Sequence, residues 1–209
     1  MRALRAIDGP AGRLEVLLDE PSSPPDGLRA AVVFAHPHPQ YGGTMHTKVV
    51  YQAAKALSRI GCAVLRFNFR GVGASEGRFA DGIGEAEDYR AALDFMRRRY
   101  PSSRTWAAGF SFGAWIALTT GASDPAVSAL IAVAPPVDRY DFDGVAESRT
   151  PKFFIHGERD ELCPLKAVQQ FYARCSEPKE LVVIDAADHL FDGKTLEVAD
   201  AIEDLLGDW

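Results

Sequence analysis

Gly109-Phe110-Ser111-Phe112-Gly113 lies between Thr105-Trp106-Ala107-Ala108, which reads as a short buried strand, and Ala114-Trp115-Ile116-Ala117-Leu118, which reads as the start of an apolar helix. A G-x-S-x-G run joining a strand to a helix lifts its serine onto a sharp, strained turn, and the small flanking residues let the helix pack close to the sheet. The pentapeptide alone is a weak signal, because a Gly-rich turn whose serine merely caps a helix has the same appearance. The strand before it and the helix after it are what make Ser111 a candidate nucleophile.

Apolar runs rich in Val, Ile and Phe recur between amphipathic stretches, the pattern of strands and helices alternating around a parallel sheet. Strands are expected at Leu14 to Leu18, Ala30 to His36, Ala63 to Asn68, Thr105 to Gly109, Ala129 to Ala134, Phe153 to His156 and Leu181 to Ile184. Helices are expected at Thr47 to Ile60, Ile83 to Arg99, Phe112 to Gly121, Pro164 to Cys175 and Leu196 to Leu206. The reading is a doubly wound α/β fold in one domain, residues 1–209, with no linker, internal repeat or low-complexity tract dividing it.

Composition narrows the function classes. The chain has 209 residues, 47% of them hydrophobic, and a formal net charge of -6. Acidity, and no basic run beyond Arg97-Arg98-Arg99, speak against a nucleic-acid surface. The longest apolar runs, Ala30 to Ala35 and Ala129 to Pro136, fall short of the roughly 20 residues that a membrane span needs. Met1 to Asp8 lacks the apolar core of a signal peptide, so a cytoplasmic location is expected. Cys62, Cys163 and Cys175 are odd in number and show no C-x-x-C spacing, which reads as reduced thiols, Cys62 in the core.

A serine hydroxyl needs a base to take its proton, and the base needs a third group to fix its tautomer and stabilise its charged form. In this architecture the order along the chain is serine, then an acid after a later strand, then histidine after the last strand. Asp160 and His189 fall in those places, with Glu158 and Glu161 as lesser candidates for the acid. Asp160 is four residues beyond His156; with Pro164 at the first helical position and Cys163 at the cap, Asp160 stands too early to cap the following helix. Asp188, beside His189, reads as structural. An oxyanion needs two backbone donors. Phe112 N–H supplies one; Pro37 and Pro39 have none to give, which leaves His38, Gln40 or Tyr41 for the other, with His38 preferred. His36, His38 and His46 could instead suggest a metal site, but no cysteine or nearby carboxylate completes it, and no metal is expected. Arg70-Gly71-Val72-Gly73 lacks the spacing of a nucleotide cradle, and Arg70 reads as a loop anchor.

Five stretches in order resemble the α/β-hydrolase superfamily, and within it the small lidless bacterial hydrolases grouped near the dienelactone hydrolases. They are Phe34 to Met45, Asn68 to Gly77, Gly109 to Gly113, His156-Gly157-Glu158-Arg159-Asp160, and Asp188-His189-Leu190-Phe191, and the resemblance spans nearly the whole chain. It implies Ser111 as nucleophile, Asp160 as orienting acid and His189 as base. The chain departs from dienelactone hydrolases in having Ser111 where they use cysteine, and it lacks the acidic residue that they place where His36-Pro37-His38 stands, so dienelactone is not the expected substrate.

The interval from Pro135 to Pro151 leaves room for a turn or two rather than a lid. Tyr41, Tyr140, Phe142, Phe112 and Phe191 are expected to wall an open site suited to a compact acyl or alcohol group. The expected function is hydrolysis of a small carboxylic ester through an acyl-enzyme, without a cofactor, and with activity rising as His189 loses its proton in the usual imidazole range. A thioesterase or small peptidase would use the same three residues, and a ligand-binding scaffold is the rival from another class. An exposed edge strand offers a route to a homodimer.

Overall fold

A run such as Ala30-Ala31-Val32-Val33-Phe34-Ala35, apolar at every position, is satisfied only in a strand covered on both faces. The computed structural model of the chain, which describes residues 4–21 and 27–209, builds its sheet from such runs. The strands are β1 (Ala6–Gly9), β2 (Gly12–Asp19), β3 (Ala30–Ala35), β4 (Ala63–Phe67), β5 (Arg104–Phe110), β6 (Val127–Val133), β7 (Lys152–Gly157) and β8 (Lys179–Ile184). The helices are α1 (Lys48–Arg59), α2 (Ile83–Arg99), α3 (Phe112–Ala122), α4 (Asp143–Glu147), α5 (Leu165–Arg174) and α6 (Thr195–Leu206). The sheet runs β1-β2-β4-β3-β5-β6-β7-β8; β2 pairs antiparallel with β1 and β4, and every later pairing is parallel. This is the α/β-hydrolase fold.

Helices α1 and α6 cover one face, where Val50, Leu57, Ile202 and Leu206 join Val32, Phe34 and Val64 in one apolar cluster. Helices α2, α3 and α5 cover the other, where Leu93, Met96, Ala117 and Phe171 join Val33, Leu65 and Leu130. Helix α3 is apolar around most of its circumference because most of it is enclosed, with Phe112, Ala114, Ile116, Ala117 and Leu118 buried and only the stripe Trp115, Thr119 and Ala122 half-buried. Arg70 anchors the loop after β4, its guanidinium donating to Asp88 on α2 at 2.8 to 3.1 Å.

Two local features differ from expectation. β1 escapes a search for apolar runs because only Ile7 of its four residues is buried. The interval after β6, by contrast, holds what its length allows, the five-residue helix α4. Helix α5 starts at Leu165, and Pro164, at ψ 132°, is its cap rather than its first helical residue.

Candidate active site

Ser111 sits at φ 54° and ψ -121°, a conformation that side chains disfavour and that persists only where the surroundings over-determine it. Here they do. Ser111 N–H donates to Val133 on β6 at 2.9 Å, and the amides of Ala114 and Trp115 return to the Ser111 carbonyl at 2.8 and 3.2 Å. The two flanking glycines are required for space: a Cβ on Gly109 would meet the Gly113 carbonyl, and one on Gly113 would meet the carbonyls of Ala35 and His36. The elbow is thus wedged between β3 and its own helix, with the serine hydroxyl as the part left free.

The loops after β7 and β8 are tied backbone to backbone. Glu158 N–H donates to Ile184 at 3.0 Å and Arg159 N–H to Ala187 at 2.9 Å. The Glu158 carboxylate accepts from Ala186 N–H at 2.9 Å, which braces the histidine loop and takes Glu158 out of contention as the acid. Asp160 divides its two oxygens. Oδ1 accepts from the amides of Leu162 and Cys163 at 2.9 and 2.8 Å, so it does hold the turn leading to α5, contrary to the expectation that it stands too early for such a role. Oδ2 accepts from His189 Nδ1–H at 2.7 Å. His189 Nε2 in turn accepts from Ser111 Oγ at 2.9 Å, the tautomer following from these partners. Asp160 is 5% exposed and His189 8%, so the chain of bonds is screened from water except at its serine end. Asp188 instead accepts from Asp192 N–H at 3.0 Å and closes its own turn.

Behind these three lies His156, fully buried, whose Nε2–H donates to the Cys163 carbonyl at 2.7 Å while Nδ1 has no partner among the described residues. Burial lowers its pKa, keeping it neutral beside Asp160. His36 is also neutral: burial holds its pKa down to about 4. Its Nδ1–H donates to Pro37 and its Nε2 accepts from Phe69 N–H at 3.1 Å, stitching the loop after β3 to the loop after β4.

Ser111 and His189 open into a cavity of about 350 Å³ lined also by Pro37, His38, Tyr41, Phe112, Pro136, Arg139, Tyr140, Leu162, Cys163 and Leu190. Tyr140 is held in place by stacking on Trp115, with centroids 4.2 Å apart. His38 packs against Tyr41 and Phe112, and its Nδ1 accepts from Gln40 N–H at 3.2 Å. The Tyr41 amide is likewise committed, to the His38 carbonyl at 3.1 Å. Of the three donors considered in this loop, His38 N–H alone has no acceptor among the described residues, and Phe112 N–H has none either.

Two expected wall residues are elsewhere. Phe142 is buried against Phe171 on α5, and Phe191 turns at φ 53° beneath the sheet end to pack on Phe110. The wall is completed instead by Pro136, Arg139, Leu162, Cys163 and Leu190, which the sequence reading did not place there. Leu162 and Leu190 were findable as chain neighbours of Asp160 and His189; Arg139 carried no local signal. Among the described residues His36, His38 and His46 form no metal-ligating group; the one such group is Asp160, Cys163 and His189, whose carboxylate and imidazole are already engaged with each other.

A family model described as serine aminopeptidase, S33 (Hydrolase_4) matches residues 26–141. An uncharacterized protein of Rickettsia prowazekii, RP471, is 40% identical, the match covering 96% of this chain and 87% of that protein. An alpha-beta serine hydrolase homologue from Coxiella burnetii superposes with a TM-score of 0.91 at 39% identity, covering 96% of this chain and 95% of that one. XC6422 from Xanthomonas campestris, described as an a/b serine hydrolase without lid, gives 0.90 at 36% identity, covering 99% and 94%. The chain belongs to this serine aminopeptidase S33 family of α/β serine hydrolases.

Proposed function

We propose that the protein cleaves small carboxylic esters through an acyl-enzyme formed on Ser111. The observation that carries this is the continuous chain of hydrogen bonds from Ser111 Oγ through His189 to Asp160 on the wall of an open cavity. Ser111 attacks the ester carbonyl as His189 Nε2 takes its proton, and Asp160 stabilises the resulting imidazolium. The oxyanion receives the N–H groups of Phe112 and His38, both without an acceptor among the described residues. His189 returns the proton to the departing alcohol, then draws one from the water that releases the acid and frees Ser111.

Two features favour an ester over a peptide with a free amino terminus. An aminopeptidase must hold an α-ammonium, which calls for a carboxylate, and no Asp or Glu among the described residues lines the cavity. The mouth is also open: Tyr41 is 87% exposed, Leu190 60% and Leu162 49%. A compact acyl group would be covered there while a long chain would lie in water, so two-carbon acyl esters should be hydrolysed faster than twelve-carbon ones. Thioesters meet the same groups, and matched oxygen and sulfur esters separate the two readings. Three buried free thiols suit the cytoplasm, and no helix among the described residues is long and apolar enough to cross a membrane.

The test is labelling with a fluorophosphonate, read by intact mass and peptide mapping. Modification at Ser111 that disappears in His189→Ala supports the reading. A folded protein that stays unlabelled overturns it in favour of a binding scaffold.

A further inference from the structure

Among the polar side chains that line the cavity, one carries a permanent charge. Arg139 is the only lysine, arginine or carboxylate residue in the lining, and its guanidinium has no carboxylate within ion-pair distance among the described residues. Its neighbour Asp138 is exposed and outside the lining. Arg139 is itself exposed, yet close enough to the cavity wall to act on Cys163, where it opposes the upward push that burial and the Asp160 and Asp138 carboxylates give the thiol. The backbone beneath Arg139 is stiff: its N–H donates to Pro136 at 3.1 Å, Pro135 and Pro136 precede it, and the next residue is the stacked Tyr140. An arginine whose base is fixed in this way loses less freedom on binding than one on a mobile loop.

On the Arg139 side the nearby carboxylate is that of Asp138, which acts on Cys163 from outside the lining; two further carboxylates lie across the site. Glu161 and Asp188, together with Arg159, line a second, shallower cleft that shares only Leu162, His189 and Leu190 with the first. The two sides of the site therefore differ in what they present to the cavity: one lines it with the Arg139 guanidinium, its neighbour Asp138 staying outside the lining, and the other carries mixed charges.

We propose that Arg139 is a specificity-determining residue, and that the substrate is an ester bearing an anionic group, a carboxylate or phosphate, a few bonds from the carbonyl that Ser111 attacks. The guanidinium presents a fork of N–H donors to that group, while Tyr41, Phe112, Tyr140 and Pro136 cover the apolar link between it and the ester. The selectivity works in both directions, since an ammonium group in the same place would face the guanidinium, with no carboxylate among the described lining residues to hold it. This inference rests on the esterase reading given above.

The experiment compares kcat/KM on two aryl esters, the pentanoate and the glutarate monoester, which differ chiefly in a terminal carboxylate, and on a matched aryl phosphorylated acyl ester. Wild type is expected to favour at least one anionic ester over the neutral one by about tenfold, the scale of a charge-assisted bond in a half-open site. Arg139→Leu should bring the ratio near one, Arg139→Lys should keep part of it, and Arg159→Leu, in the neighbouring cleft, should leave it as in wild type. Equal rates on neutral and anionic esters, or a preference that survives Arg139→Leu, would overturn the proposal while the esterase reading stands. Absence of turnover on all three, together with an unlabelled Ser111, would overturn both.

Discussion

His156 and Asp160 hold the same residue from two sides: the Nε2–H of His156 donates to the Cys163 carbonyl at 2.7 Å, and Asp160 Oδ1 accepts from the Cys163 amide at 2.8 Å. The loop that carries the acid is therefore closed by a histidine that touches neither the serine nor the cavity. His156→Phe leaves a buried carbonyl unpaired and should cost about 1 to 3 kcal/mol in urea unfolding. His156→Gln, which keeps a donor, should recover part of that loss. The rate of fluorophosphonate labelling should fall in the first variant and partly return in the second, because the loop sets where Asp160 meets His189.

The divided carboxylate makes Asp160→Asn informative. The amide oxygen can still accept from Leu162 and Cys163, so the fold should hold. Its NH₂ group, however, faces His189 Nδ1 and forces the proton onto Nε2, the nitrogen that must receive one. Turnover of a small ester should drop by about 10³ to 10⁴ with an unchanged urea midpoint. A loss of less than tenfold would point to another acid.

Strain at Ser111 can be weighed separately from its chemistry. Ser111→Ala and Ser111→Gly both abolish the nucleophile, but only glycine tolerates φ 54° with ψ -121° freely. The glycine variant should be more stable than the alanine variant by about 1 kcal/mol, measured by chemical denaturation. Equal stabilities would mean that the turn is not strained.

Stability should also depend on pH through His36. Its pKa is lowered from 6.5 to about 4 in the fold by burial, so the unfolded chain binds the extra proton first. The contribution is fully present above about pH 6.5 and is lost as pH falls toward 4, with about 3 kcal/mol at stake in that window. His36→Asn, which can keep one donor and one acceptor, should flatten the decline in urea midpoint between pH 7 and 4.5. Some slope should remain from His156, whose pKa is lowered in the same sense.

What the sequence disclosed followed its periodicities. The seven strands read from apolar runs are all present; the five inner ones, β3 to β7, are buried on both faces and have to be written in such residues. β1 was not legible, since a four-residue edge strand with one buried side chain carries no period. Ser111, Asp160 and His189 were legible because topology fixes their order and the strands fix their positions. The wall was not. Phe142 and Phe191 are aromatic and close in sequence to the site, yet turn geometry sends both into the core. Arg139 reaches the cavity only through the turn after β6, which depends on the fold being complete.

Ser111 and His189 are separated by 78 residues, and the histidine follows β8, an edge strand made after the other seven. A chain emerging from the ribosome carries its serine long before it carries the group that arms it. On the proposed reading, the nascent protein cannot attack esters around it, and chemistry begins only when the final strand has been laid against β7.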